Sequence, residues 1–69
     1  MTNPLRAYRE KNDLSQEELA GRLSVSRQMV GMLEKGERQF TAEMAVKIEQ
    51  RLGIDRVLTR PDLFRRRAA

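Results

Sequence analysis

The stretch SQEELAGRLSVSRQMVGMLEKG, residues 15–36, decides how this chain folds. Ser15 and Glu18 have the spacing of a capping box, in which each side chain satisfies a backbone N–H group at the start of a helix. Ser26 is placed to cap a second helix, which begins only about one turn after the first one ends. The stretch therefore predicts two short helices joined by a tight turn, at residues 16–23 and 27–35.

Apolar residues recur along both predicted helices at a spacing that gives each helix one buried face. Packing of these faces would lock the pair together as a helix-turn-helix. The apolar set consists of Leu19, Ala20, Leu23, Val25, Val30 and Leu33. At about 100° per residue, helical geometry places Gln28 and Met32 roughly opposite the buried side of the second helix.

Similar start and stop signals predict helices outside this stretch. Asn3 followed by Pro4 is typical of a helix start, and Gly36 and Gly53 are placed to end helices in the left-handed conformation. Phe40, in the connecting loop, is expected to be buried. The chain is thus predicted to be all-α, a compact bundle of about five short helices, the additional ones at about 4–11, 41–52 and 54–58.

The composition narrows the possible functions. A chain of 69 residues is predicted to form a single domain over residues 1–69, and with no Cys and no His it offers neither a disulfide nor a zinc site. Because no carboxylate pair lies in an identifiable cleft either, we predict no catalytic residues, no metal and no cofactor, and hence no enzyme. No apolar run reaches the roughly 18 residues of a membrane span and no signal peptide is visible, so the predicted location is cytoplasmic.

The net charge of +4 is concentrated at the end of the chain, where Arg65, Arg66 and Arg67 account for three of the four charges. A case for nucleic-acid binding must therefore depend on where the other charges lie. Eleven of the fourteen cations are Arg, whose side chain suits bidentate contacts to phosphate or guanine. The 65–69 tail is predicted to be flexible, and two interpretations of its arginines stay open: added non-specific affinity, or no role.

The second helix of the stretch carries side chains that can read base edges. Arg27 and Gln28 lie in its first turn, the part of a recognition helix that enters the major groove. Arg can bond guanine O6 and N7, and Gln can bond adenine N6 and N7. Gly31 lets the helix approach the groove closely, and Met32 can touch a thymine methyl group. The alternative is that these are ordinary solvated residues on an exposed face.

The order of elements resembles the phage repressor/Cro-like (XRE-type) helix-turn-helix proteins over about residues 5–58. The features that carry the resemblance are a leading helix, a capped Ser-Gln-x-Glu-Leu-Ala helix, a Val-Ser turn, a helix ending Leu-Glu-Lys-Gly, and a fourth helix closed by Leu-Gly-Ile. It implies a lambda-repressor-like DNA-binding domain, with its helix-turn-helix at residues 16–35. Asp13 and Ser24 stand where the family usually has Gly, at positions that commonly have a positive φ.

The resemblance also implies roles for individual residues. It assigns base contacts to Arg27, Gln28 and Met32, and a phosphate contact to Gln16 beside the N–H groups at a helix start. Further phosphate contacts are expected from Ser26, Lys35, Arg38 and Gln39, for which ordinary solvated side chains are the alternative. Arg9 and Glu34 are expected to form a partly buried, structural ion pair.

The function predicted from these features is a sequence-specific transcriptional regulator that binds double-stranded DNA. As a Cro/repressor-like protein it would read a palindromic operator through helix 27–35 in the major groove, as a homodimer. The expected source is bacterial or phage, and the bound protein would associate with the nucleoid. Three alternatives stay open: an antitoxin with a toxin partner, a restriction–modification controller, and a protein-interaction adaptor that binds no DNA.

Overall fold

The computed structural model describes residues 3–64, which contain five helices and no strand. The predicted all-α fold class is confirmed. The helices are α1 (Pro4–Lys11), α2 (Gln16–Leu23), α3 (Arg27–Lys35), α4 (Ala42–Leu52) and α5 (Arg56–Thr59). The first three have the predicted bounds, whereas α5 begins later than predicted because Asp55 is its N-cap, its carboxylate accepting from the Val57 N–H at 3.0 Å. The 65–69 tail lies outside the described residues.

The chain divides into two compact units, the first ending at Gln39 and the second beginning at Phe40. In the first unit, the predicted caps fix the helix starts. The Ser15 hydroxyl accepts from the Glu18 N–H at 3.0 Å, and the Glu18 carboxylate accepts from the Ser15 N–H at 2.9 Å. Hydrogen bonding of the Glu18 carboxylate to the Ser15 N–H, and next to the Ser15 side chain, holds the pKa of Glu18 below its usual range. Ser26 caps α3 in the same way, with its hydroxyl accepting from the Met29 N–H at 3.0 Å.

The buried residues of the first unit include all of the predicted apolar set except Val25, and Leu5 of α1 is buried with them. In this unit α3 packs against both α1 and α2. Full burial of a Leu or Val side chain contributes about 1.5–3 kcal/mol relative to leaving it exposed. The buried set is Leu5, Leu19, Ala20, Leu23, Val30 and Leu33, with Val25 and Met29 half-buried.

Two residues other than glycine have left-handed backbones in this unit, at the two positions where the resemblance led us to expect a positive φ. Asp13 has φ 55° and Ser24 has φ 56°. Ser24 is the C-cap of α2, and its N–H donates to the Gly21 carbonyl at 3.3 Å. Left-handed backbone is strained for a residue with a Cβ atom, by roughly 1–2 kcal/mol, so both turns carry strain that glycine would not.

Replacing Ser24 by Gly is expected to raise the thermal midpoint by a few degrees. Relief of left-handed strain, about 1–2 kcal/mol, should exceed the extra unfolded-state entropy of Gly, about 0.4–1 kcal/mol. The Ser24 hydroxyl makes no hydrogen bond to the described residues 3–64 that the substitution would remove. The matched control is Ser15→Gly, where φ is −76° and the hydroxyl is a cap, so that its midpoint should fall. The midpoints are measured by circular dichroism. A lower midpoint for Ser24→Gly would contradict the claim that the Ser24 backbone is strained.

The second unit contains α4 and α5, which pack against each other. Thr41 caps α4 through a bond from the Met44 N–H at 3.0 Å, and Gly53 ends it with φ 77°. The predicted burial of Phe40 is confirmed at 9% exposure. The other buried apolar residues of this unit are Ala45, Ile48 and Ile54, while Leu52 is half-buried.

Two arginine side chains bind residues near the end of the described part of the second unit. The Arg56 guanidinium donates to both Glu49 oxygens at 3.1 Å and lies 5.3 Å from the centroid of the Phe64 ring. Arg60 donates to the Phe40 carbonyl at 2.6 Å and to both oxygens of Asp62. The hydrogen bonds from Arg60 lower the pKa of Asp62 to about 2. These contacts fix residues 60–64 against the rest of their unit.

No helix within residues 3–64 is long and apolar enough to cross a membrane.

Candidate nucleic-acid interface

A surface hollow of about 520 Å³ lies on the first unit, beside the exposed side of α3. It brings together five of the residues predicted to contact DNA, from the start of α2 and from the whole length of α3. Those five are Gln16, Arg27, Gln28, Met32 and Lys35, and the remaining lining residues are Gly31 and Glu37.

The α3 residues of the hollow form one stripe along the helix. They lie at spacings of one, three, one and three residues, which places them along one side of the helix, and they are Arg27, Gln28, Gly31, Met32 and Lys35. Val30 and Leu33, on the other side, are buried. Ser26 caps the helix just before this stripe, so Arg27 and Gln28 project from the first turn, and both are exposed. Both ends of the stripe are polar, and the stripe runs along the whole of α3. It can therefore contact a polar surface over the full length of the helix.

Arg9 and Glu34 form a bidentate ion pair between α1 and the end of α3. Arg9 Nε lies 2.8 Å from Glu34 Oε2, and Arg9 Nη2 lies 3.1 Å from Glu34 Oε1. The Glu34 side chain is only 5% exposed and that of Arg9 19%. Hydrogen bonding to Glu34 raises the pKa of Arg9, and the third guanidinium nitrogen donates to the Leu14 carbonyl at 3.1 Å. The pair therefore ties α1, the turn before α2 and α3 together.

Gln16 extends from the first position of α2 onto α3. Its Nε2 donates to Glu34 Oε1 at 3.3 Å. A Cβ atom added at Gly31 would lie 3.9 Å from Gln16 Oε1 and 4.0 Å from Nε2, so the carboxamide lies directly over that glycine. The N–H groups of Gln16 and Glu17 belong to the first turn of α2, where a helix leaves N–H groups without intrahelical partners and its dipole favours an anion.

Three other predicted phosphate contacts lie outside the lining of the hollow. Ser26 is exposed, but its hydroxyl oxygen is already an acceptor in the α3 cap. Arg38 and Gln39 are exposed in the loop that follows Gly36. Their contacts with DNA stay predictions.

Glu37 lines the hollow and was not among the predicted site residues. Gly36 has φ 77° and turns the chain back on α3, so that the Glu37 N–H donates to the Met32 carbonyl at 2.9 Å. This bond and the one from Gly36 N to Leu33 O form the Schellman pattern, which fixes the residue after the glycine beside the last helical turn. A glycine at the end of a helix predicts this pattern, so Gly36 in the sequence is the feature from which the position of Glu37 at this site could have been predicted. Its carboxylate can accept from cytosine N4 and would repel a phosphate.

Comparison with known proteins identifies the class to which this fold and hollow belong. A family model described as helix-turn-helix matches residues 5–58, most of the chain. The chain therefore belongs to the XRE-type helix-turn-helix family, a family of DNA-binding regulators.

One relative is a Methanocaldococcus jannaschii protein that bears the name uncharacterized HTH-type transcriptional regulator MJ0272. It is 41% identical to this chain over 54 residues, which cover 78% of this chain and 82% of the relative. No solved structure matches the chain significantly.

Proposed function

We propose that this protein is a transcriptional regulator that binds double-stranded DNA by inserting α3 into the major groove. The observation that carries the proposal is the polar stripe on α3, which shares one hollow with Gln16 in a chain of the helix-turn-helix family. A stripe of this kind opposite a buried face is what a recognition helix needs, because one side must be held by the domain while the other reads base edges.

The side chains of the stripe support distinct roles. Arg27 can donate two hydrogen bonds to guanine O6 and N7, and Gln28 can pair with adenine N6 and N7. Met32 can contact a thymine methyl group. Lys35, at the end of the stripe, and Arg38, in the loop, would bind phosphates as cations, while Gln39 and the Ser26 hydroxyl would donate single hydrogen bonds to them.

We further propose that the protein acts as a homodimer on a palindromic operator and represses by occlusion, as Cro-like proteins do. A single recognition helix of nine residues reaches only one half-site, and two-fold symmetric dimers place two such helices about 10 base pairs apart on the same side of the duplex.

Selection from a random duplex library would test this function. The expected result is recovery of an inverted repeat with half-site centres about 10 base pairs apart, bound by two copies of the chain in analytical ultracentrifugation. An enriched half-site without a repeat would contradict the dimer. Failure to enrich any sequence would contradict sequence-specific DNA binding.

The affinity for the selected duplex should fall with salt, because each neutralised phosphate releases condensed counterions. If Lys35 and Arg38 of both subunits bind phosphates, a plot of log K against log salt concentration should have a slope of about −3 to −4. Removing one of these cations, as in Lys35→Gln, should reduce the magnitude by about 2 per dimer. The matched control is Lys11→Gln, an exposed α1 residue outside the hollow, which should leave the slope unchanged. A flat plot for the unaltered protein would favour the protein-interaction adaptor.

A further inference from the structure

We propose that Glu34 is a positioning residue, which holds the Gln16 carboxamide ready for a DNA phosphate, and that Arg9 supplies the charge that makes this possible. The inference rests on the proposed DNA binding and deepens it. It gives the Arg9–Glu34 pair a role in recognition in addition to its role in stability.

The hydrogen bonds at Glu34 fix which end of the Gln16 amide faces the protein. Glu34 Oε1 accepts from Arg9 Nη2 at 3.1 Å and from Gln16 Nε2 at 3.3 Å, while Glu34 Oε2 accepts from Arg9 Nε at 2.8 Å. A carboxylate can only accept, so the amide nitrogen, and not the oxygen, must point towards Glu34. One of the two Nε2 hydrogens is used in this bond, and the other stays available for a phosphate oxygen.

The charge of Glu34 would oppose a phosphate if it were not balanced. Its carboxylate lies one hydrogen bond away from the amide that is to meet the phosphate. Two parallel bonds from the Arg9 guanidinium cancel this charge in a position that is nearly closed to solvent. Arg9 thus allows an acidic residue to orient a phosphate-binding group without repelling its ligand.

The bond to Glu34 holds the Gln16 amide over Gly31 of α3 before DNA arrives. Gly31, three residues before Glu34 on α3, has no side chain, and a Cβ atom there would already touch both polar atoms of the amide, at 3.9 and 4.0 Å. A side chain held in its binding geometry loses less rotamer freedom when the ligand binds. The first-turn N–H groups of α2 lie beside the same position and favour the same anion.

The test compares the effect of Gln16→Ala in two backgrounds. One is the unaltered protein, and the other is the double variant Arg9→Met/Glu34→Leu, which replaces the ion pair by apolar side chains. Such replacements of a buried pair commonly keep the fold, and circular dichroism with thermal melting would verify this. The probe is the duplex recovered by selection, and the measured quantity is its Kd by fluorescence anisotropy.

We expect Gln16→Ala to weaken binding about tenfold in the unaltered protein, as expected for a hydrogen bond to a charged group, and less than about twofold in the double variant. The matched control Gln50→Ala, an exposed amide on α4, should leave Kd unchanged in both backgrounds. An equal loss in the two backgrounds would overturn the positioning role, and so would no loss in the unaltered protein. If the unaltered protein binds no duplex at all, the result contradicts the proposed DNA binding itself, and not only the positioning role of Glu34.

Should the double variant not fold, Glu34→Gln takes its place, because its amide oxygen can still accept from the Arg9 guanidinium and so keeps part of the pair. This variant removes the negative charge, so a residue that acted only through its charge would give tighter binding. A positioning residue gives weaker binding, because the new amide can turn its own N–H groups towards Gln16 and no longer fixes that side chain.

Discussion

Arg9→Ala is expected to lower the free energy of unfolding by about 3 kcal/mol, the largest stability effect that we predict. The substitution leaves the Glu34 carboxylate nearly buried, at 5% exposure, without either of its two bonds from the guanidinium. It also removes the donor to the Leu14 carbonyl. A domain of this size has only about 3–5 kcal/mol of stability, so much of the variant should be unfolded at 37 °C. Urea denaturation followed by circular dichroism measures the difference.

The same helix provides the control for this prediction. Arg6 pairs with Glu10 at 3.4 Å, but both side chains are more than half exposed, at 57% and 55%. Exposed pairs of this kind contribute little, because water and salt screen them. Arg6→Ala should therefore leave the unfolding curve almost unchanged. Equal destabilisation by the two substitutions would mean that loss of α1 helicity, and not loss of the shielded pair, is being measured.

Arg27→Ala and Gln28→Ala are expected to have the largest effects on recognition. Each should reduce the affinity for the selected duplex by about 1–3 kcal/mol and relax the preference at one base position. Both residues are exposed in the first turn of α3, so the fold should be retained. Competition titrations against duplexes with single base changes measure the preference directly.

A matched variant separates base reading from general electrostatics. Arg51 is an exposed arginine on α4, and Arg51→Ala removes the same charge as Arg27→Ala. It should change the affinity slightly and the base preference not at all. If Arg27→Ala and Arg51→Ala gave the same uniform loss across all duplexes, Arg27 would be a phosphate contact or a bystander, and not a reader.

The helix bounds could be predicted from the sequence because they depend on short-range contacts. The Ser15–Glu18 capping box, the Ser26 cap and the glycine ends at Gly36 and Gly53 each involve residues close together in the chain. The helix α5 begins later than the apolar pattern predicts, because the Asp55 carboxylate accepts from the Val57 N–H and makes Asp55 the N-cap.

The contacts that complete the site depend on how the helices cross, and a single sequence does not determine that. Only the resemblance to a family predicts the Arg9–Glu34 pair. The bond from Gln16 to Glu34 joins residues eighteen positions apart, and neither the periodicity nor the capping signals of α2 and α3 place these two side chains together. In the second unit, the bond from Arg60 to the Phe40 carbonyl joins residues twenty positions apart and is not predictable for the same reason.

Methylation interference tests the central claim, that α3 reads the major groove, most directly. Dimethyl sulfate methylates guanine N7 in the major groove and adenine N3 in the minor groove, so one reaction probes both. We predict that N7 methylation of one guanine per half-site blocks binding of the unaltered protein, and that Arg27→Ala loses its sensitivity at that guanine alone. Interference only at adenine N3, or identical patterns for the two proteins, would contradict the insertion of α3 into the major groove with Arg27 on a guanine.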